Sequence, residues 1–431
     1  MMKILLKNGS IKGEKNVDVL IENDKIKKIG PANSLTYEDA QVIDLSGLII
    51  LPGLVDLHTH LREPGREDAE TIATGSAAAA QGGFTAVHAM ANTLPVADTA
   101  GVVEQVWNLG KNVGLVDVYP IGAVTVGLKG EKLAELSAMA DSNARVRIFS
   151  DDGFCVSDPV LMRRALEYVK AFDGVIAQHA QDPRLTENAQ MNESELSGKL
   201  GLIGWPAIAE EAIVARDVLL TEHVKSKLHI CHASTAGTVE ILRWAKDKKV
   251  NVTAEVTPHH LFLNQTSCES YNANFKVNPP LRTSKDVEEL RKALAQGIID
   301  VVATDHAPHP IEDKEGEWQS AAFGMTGLET ALSVVATAMI DNKLMNWADI
   351  ARVMSERPAE IGQLADHGRP IAENEIANLC IVDPEITWKV DAQDTHSLST
   401  NNPFHEMTLK SKVVHTIFRG KFTLKSGQVQ K

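Results

Sequence analysis

His58 and His60 stand two residues apart in the stretch DLHTHLREPG, directly after the apolar run GLIILPGLV. Side chains two apart on a strand project from the same face. Two imidazoles on one face of a strand end can share a metal ion, and imidazole suits zinc and its neighbours. Alone, such a pair reads equally well as two surface or core histidines. Other apolar runs end in the same kind of side chain. GVIAQHAQD closes on His179, KLHICHAST on His232, VVATDHAPH on Asp305, and RVRIFSDDG on Asp151 and Asp152. By itself SDDG reads as a turn, and a lone histidine after an apolar run as a satisfied core residue. Repeated at run after run, these endings read as parts of one site.

Something must bring the run ends together. Short apolar runs recur roughly every thirty residues: GLVDLH, GFTAVHAM, VDVYPIGAV, ARVRIFS, GVIAQH, KLHICH, VNVTAEVT and IDVVATD. Helix-patterned stretches lie between them, among them ETIATGSAAAAQ, PVLMRRALEYVKAF, AIAEEAIVARDVLLTEH and STAGTVEILRWAKDKK. Strands alternating with helices imply a parallel sheet in an α/β fold. Eight repeats make a (β/α)8 barrel the leading expectation, with a doubly wound open sheet as the alternative. A barrel would gather all the run ends at its C-terminal mouth. The first ~50 residues read instead as short strands with tight turns, including an Asn-Gly turn in KILLKNGSIKG. The last ~55 residues are patterned alike, as in ANLCIVDP and KVVHTIFRGKFTLKSGQ, so the two ends are expected to pair as a small β domain. The expected division is 1–52, 53–370 and 371–431.

The bulk composition narrows the function. The chain has 431 residues, is 44% hydrophobic and 23% charged, and carries a formal net charge of −14. That charge argues against nucleic acid or an acidic membrane as a partner and leaves a small molecule as the expected ligand. An anionic substrate would need positive charge concentrated locally. No apolar run approaches the ~20 residues of a membrane span. MMKILLKNGS has no signal-like apolar segment with a cleavage site. Cys155, Cys231, Cys268 and Cys380 are widely spaced and form no CxxC, which suits a reduced cytoplasm. Neither a GxGxxG after the first strand nor a Walker A sequence is present, so nucleotide binding has no support.

The motifs DLHTHLREPG, GGFTAVHAMANT, HICHAST, AEVTPHHL, VNPPLR and ATDHAPH resemble those of the amidohydrolase superfamily, and most closely the class I dihydroorotases. The resemblance runs from KNGSIKG to VHTIFRGK, nearly the whole chain. HxH is shared across the superfamily; HLREPG with MANT, NPPLR and ATDHAPH is more specific. It implies a (β/α)8 barrel with a composite β-sandwich from both termini. It also implies reversible, zinc-dependent cyclisation of N-carbamoyl-L-aspartate to (S)-dihydroorotate in pyrimidine biosynthesis. By resemblance His58 and His60 would bind one zinc and His179 and His232 a second. Hydantoinases and allantoinases bridge such a pair with a carboxylated lysine at the end of strand four. This chain has Asp151 and Asp152 there, and the bridge is assigned to Asp152, with Asp151 as the second candidate. Asp305 would be the catalytic acid/base and would also touch the first zinc. Arg62, Asn92, Asn278 and His309, with backbone near Phe323 and Gly324, would contact the substrate.

One departure is MANT in place of the MPNT of many relatives. Asn92 is retained, so a backbone difference is expected rather than a lost contact. His259 and His260 in TPHHL are expected to pack or support rather than ligate. HPIEDKEGEWQS, from His309 onward, reads as a lid or as a solvated loop. The resemblance admits a homodimer and also an association with aspartate transcarbamoylase. Two rival readings remain: another cyclic amidohydrolase, a hydantoinase or allantoinase, and a non-catalytic dihydroorotase-like subunit. The missing lysine weighs against the first, and the complete ligand set against the second.

Overall fold

A computed structural model describes residues 3–430. The N-terminal strands are β1 (Lys3–Ile11), β2 (Lys15–Glu22), β3 (Lys25–Pro31), β4 (Gln41–Asp44) and β5 (Ile49–Pro52). Then come β6 (Leu54–Thr59), β7 (Phe84–Ala89), β8 (Asp117–Pro120), β9 (Ile148–Phe149) and β10 (Val175–Gln178). A short pair, β11 (Met191–Asn192) and β12 (Gly204–Trp205), precedes β13 (Leu228–Ile230), β14 (Val252–Val256) and β15 (Val301–Val302). The chain closes with β16 (Leu379–Lys389), β17 (Thr408–Phe418), β18 (Lys421–Lys425) and β19 (Gln428–Val429).

Strands β6, β7 and β8 pair in parallel, as do β9, β10, β13, β14 and β15. Two parallel bridges join these sheets edge to edge. Gly122 meets Phe149 beyond β8, and Thr59 at the end of β6 meets His306. The His60 N–H donates to His306 O at 2.8 Å across the second junction. Each of the eight apolar runs is one of these strands, and the intervening segments include helices Ile72–Gln81, Pro159–Val169, Ile208–Val224 and Ala236–Asp247. The α/β alternation read from the sequence is therefore present. Local signals start the helices: Thr71 forms a capping box, and Asp158 and Thr235 accept from backbone N–H groups of their first turns. The strands are buried on both faces, and residues such as Leu54, Phe84, Val87, Phe149 and Ile176 fill one large core. Burial of each such side chain contributes roughly 1.5–3 kcal/mol.

The two termini share one sheet. Its strand order is β19-β18-β17-β16-β5-β1-β2-β3, with β4 also on β1. The two ends meet where Leu379–Val382 of β16 run antiparallel to Ile49–Pro52 of β5. The expected turn at Asn8-Gly9 is instead a bulge inside β1, where the register shifts between Leu6 and Gly9. Asn8 takes φ 63°, its N–H donates to Asp18 and its side chain to Asp44. A side chain at Gly9 would strike Ile50 at 2.6 Å. The strand thus continues through the pair, and the reversal falls between Ile11 and Lys15.

Between β16 and β17 the chain leaves this sheet and returns to the ring. Ser397 Oγ and the Leu398 N–H both donate to the buried Glu70 carboxylate. Asn401 donates to Ala307 O and Gly324 O and accepts from the His309 N–H.

Candidate active site

The side chains at the C-terminal ends of the ring strands converge on Asp152. One of its oxygens, Oδ2, lies 3.3 Å from His58 Nε2 and 3.4 Å from His60 Nε2. The other, Oδ1, lies 3.1 Å from both His179 Nδ1 and His232 Nε2. Those two ring nitrogens are themselves 3.0 Å apart. Asp305 Oδ1 faces the first pair, 3.0 Å from His60 Nε2 and 3.4 Å from His58 Nε2. All six side chains are buried.

Two of these six, His232 (φ 30°) and Asp305 (φ 50°), and also Arg62 (φ 62°), reach the mouth through backbone in the left-handed region. Such conformations cost of order 1–3 kcal/mol each and persist where surrounding structure enforces them. Each follows a ring strand and turns its side chain inward.

Asp151 points elsewhere. It accepts from the Val124 N–H at 2.8 Å, the Thr125 N–H at 2.9 Å and the Thr125 hydroxyl. Both its oxygens are spent on holding the segment after β8. Asp152 alone of the pair faces the histidines.

This donor set fits metal ions. Ligands ~2.0 Å from a tetrahedral zinc stand ~3.3 Å from one another, and the spacings here are 3.0–3.4 Å. His58 Nε2 is buried with no hydrogen-bond partner. The two facing nitrogens of His179 and His232 can share at most one proton. Burial pushes the His58 imidazolium down, yet Asp152, Glu255 and Asp305 outweigh burial and hold its pKa well above the ordinary value. Burial likewise opposes ionisation of Asp152, but the imidazoles hold it well below the ordinary carboxylate range. The site therefore demands positive charge, which protons or metal cations can supply. Cys231 sits behind His58 beside Glu255, but burial pushes its thiol up and keeps it protonated.

Acceptors around the histidines fix their ring orientation. Glu255 Oε1 takes the His58 Nδ1–H at 2.6 Å, Asn92 Oδ1 takes the His60 Nδ1–H at 2.9 Å, and Gln181 Oε1 takes the His179 Nε2–H at 2.7 Å. Each assignment leaves the opposite nitrogen free for a ligand. Glu255 also accepts from His229 Nε2 at 3.0 Å. Burial pushes Glu255 up, but His58 and His229 bring it well below the carboxylate range. Glu255 and Gln181 were not legible as supports. Glu255 lies inside VNVTAEVT, where alternation does not say which side chains face the ring interior. Losing such a partner typically weakens metal binding 10–100-fold. Glu255→Gln is expected to do so in zinc titrations of the apo-protein, with secondary structure unchanged.

The remaining predicted residues are Arg62, His309, Asn278, Phe323 and Gly324. Arg62 is half-buried and donates from Nε to Pro308 O at 3.1 Å; its Nη2 is 3.3 Å from His309 Nε2. Burial pulls its guanidinium to about 10, so it stays cationic at neutral pH. His309 Nε2 is 2.9 Å from Phe323 O, and burial draws His309 down to about 3, so it is neutral. Asn278 Nδ2 donates to Gln181 at 3.0 Å while its buried Oδ1 has no partner. The Gly324 N–H is spent on Lys276 O, and Gly324 O on Lys314 and Asn401. His259 and His260 belong to none of the metal-shaped groups. His260 is tied to Thr257 Oγ1 and Pro279 O.

Curated proteins named dihydroorotase align with the whole chain. The one from Streptomyces coelicolor is 60% identical over 429 residues, covering 100% of both chains. The one from Mycobacterium tuberculosis is 55% identical over 430 residues, again covering 100% of both. The chain belongs to the dihydroorotase family. A dihydro-orotase-like family model matches residues 47–238. Among solved structures, an L-hydantoinase (dihydropyrimidinase) from Arthrobacter aurescens superposes with TM-score 0.89 at 25% identity, covering 100% of this chain and 98% of that one. A dihydropyrimidinase from Brevibacillus agri NCHU1002 superposes with TM-score 0.86 at 23% identity, covering 99% and 96%, and speaks to the fold alone. The dihydroorotase family thus agrees with the cyclic-amide chemistry that the motifs suggested.

Proposed function

We propose that this chain is a zinc-dependent dihydroorotase that interconverts N-carbamoyl-L-aspartate and (S)-dihydroorotate in pyrimidine biosynthesis. The observation that carries the reading is the division of the Asp152 carboxylate, one oxygen to His58 and His60, the other to His179 and His232. A hydantoinase or allantoinase would be expected to place a carboxylated lysine there. The closed pairing of eight parallel strands supports a (β/α)8 barrel spanning roughly 53–370, with the shared terminal sheet as the composite β domain. Four unpaired cysteines support a cytoplasmic location.

His58, His60 and Asp305 would hold one zinc ion, His179 and His232 a second, with Asp152 between them. Zinc bound there supplies Lewis acidity toward a carbonyl oxygen and acidifies water. The protein's own groups bind the substrate and move the proton. Burial opposes ionisation of Asp305, but the imidazoles of His58, His60 and His232 hold it down to about 2, so it enters hydrolysis as a carboxylate. It accepts a proton from the attacking water and delivers it to the ring nitrogen as the amide bond breaks. In ring closure the same carboxyl takes the proton from the carbamoyl nitrogen. Hydrolysis releases one net proton, because a second carboxylate is formed.

Arg62 offers a planar fork to the substrate carboxylate. His309 stands beside it, and the unpartnered Asn278 Oδ1 can accept from a substrate N–H. The binding role is tested by steady-state hydrolysis of (S)-dihydroorotate. Arg62→Ala is expected to raise KM about 10–100-fold with kcat within about tenfold of wild type. A loss confined to kcat would remove Arg62 from the binding role.

A further inference from the structure

The polar stretch from His309 to Ser320 reads as solvated, yet two lysines pin it down. Lys276, which belongs to the segment before Asn278, and Lys314, within the stretch itself, are both buried. Lys276 Nζ donates to Trp318 O at 2.6 Å, Ala321 O at 2.7 Å and Gln319 O at 3.2 Å. Lys314 Nζ donates to Ala322 O at 2.8 Å, Gly324 O at 3.0 Å and Lys276 O at 3.4 Å. Six carbonyls therefore meet six ammonium hydrogens, and five of the carbonyls lie in 318–324. Neither ammonium forms an ion pair with a carboxylate among the described residues, although the chain carries a net charge of −14. Burying ammonium groups without a counter-charge is costly, and the burial pulls Lys314 down to about 7. Trp318 closes the fold of the loop by packing in a separate apolar cluster and donating to Gln190 O at 3.3 Å.

The end of this clasp is the substrate side of the site. Lys276 Nζ lies 4.4 Å from the centre of the Phe323 ring, and Phe323 O meets His309 Nε2. Gly324 packs so closely on His309 that an added Cβ would sit 2.8 Å from Nε2. His309 in turn rests against Arg62. The lysines touch none of the reacting groups proposed above, but they fix the backbone that those groups lean on.

We infer that Lys276 and Lys314 are positioning residues that hold loop 309–324 folded and thereby set the affinity of the His309–Arg62 side of the site for anionic substrate. This rests on the functional reading above and deepens it.

The test uses the metal-loaded full chain carrying Lys314→Ala, with Lys314→Met as the control of near-equal length. The Ala variant is expected to raise KM for (S)-dihydroorotate about tenfold or more, with kcat within about threefold. A Glu-specific protease should cut it faster than wild type at the exposed Glu315 and Glu317. Propylammonium should reverse both effects in Lys314→Ala by restoring a buried ammonium, and should not rescue Lys314→Met. Wild-type KM and cleavage rate in both variants, or a fall in kcat with KM unchanged, would overturn the proposal. Wild-type protein that fails to hydrolyse dihydroorotate would overturn the functional reading instead. The proteolysis and its propylammonium reversal would still report on the clasp.

Discussion

Asp305→Asn is expected to lower kcat roughly 10²–10⁴-fold in both directions, with a much smaller effect on KM. Asparagine preserves the size of the side chain and can still meet His60, which lies 3.0 Å from the carboxylate. It cannot take and return a proton. The carboxyl is buried against His58 and His60, and the other carboxylate facing them, Asp152, is already shared between the two histidine pairs. Initial rates in each direction, with metal content measured on the same samples, check the expectation. A variant with normal kcat and raised KM would show that Asp305 binds rather than transfers protons.

Asp152→Ala should have a larger structural reach. Among the described residues it removes the one carboxylate that faces both histidine pairs at 3.1–3.4 Å. The expected outcome is failure to retain two ions per chain and a loss of activity of about 10³-fold or more, as removal of shared metal ligands implies. Asp151→Ala should behave differently. Its carboxylate satisfies the Val124 and Thr125 N–H groups and the Thr125 hydroxyl, so its loss should cost roughly 1–3 kcal/mol of stability and leave metal content near normal. Elemental analysis and thermal melting separate the two. Metal loss from the Asp151 variant with retention in the Asp152 variant would reverse the assignment.

Much of this was legible because the chemistry sits where patterns are strongest. A strand places alternate residues on one face, so His58 and His60 announce a shared direction. Apolar runs that end in His179, His232 or Asp305 mark strand ends, and the α/β alternation says those ends gather. The supports were not legible for reasons equally physical. A strand buried on both faces gives no cue that Glu255 points inward. Lys276 and Lys314 are charged, and charge in a polar stretch reads as exposure; only the six surrounding carbonyls make their burial tolerable. The contact of Ser397 with Glu70 spans 327 positions, and no local pattern predicts that the segment between β16 and β17 returns to the site. The Asn8-Gly9 pair misled because a left-handed residue serves a bulge as well as a turn.

The most direct measurement is turnover of (S)-dihydroorotate, hydantoin and allantoin by apo-protein reloaded with zinc alone in carbonate-free buffer. Asp152 brings its carboxylate with the chain, so activity should return without bicarbonate and be confined to dihydroorotate. A requirement for bicarbonate, or turnover of hydantoin or allantoin in place of dihydroorotate, would contradict the account.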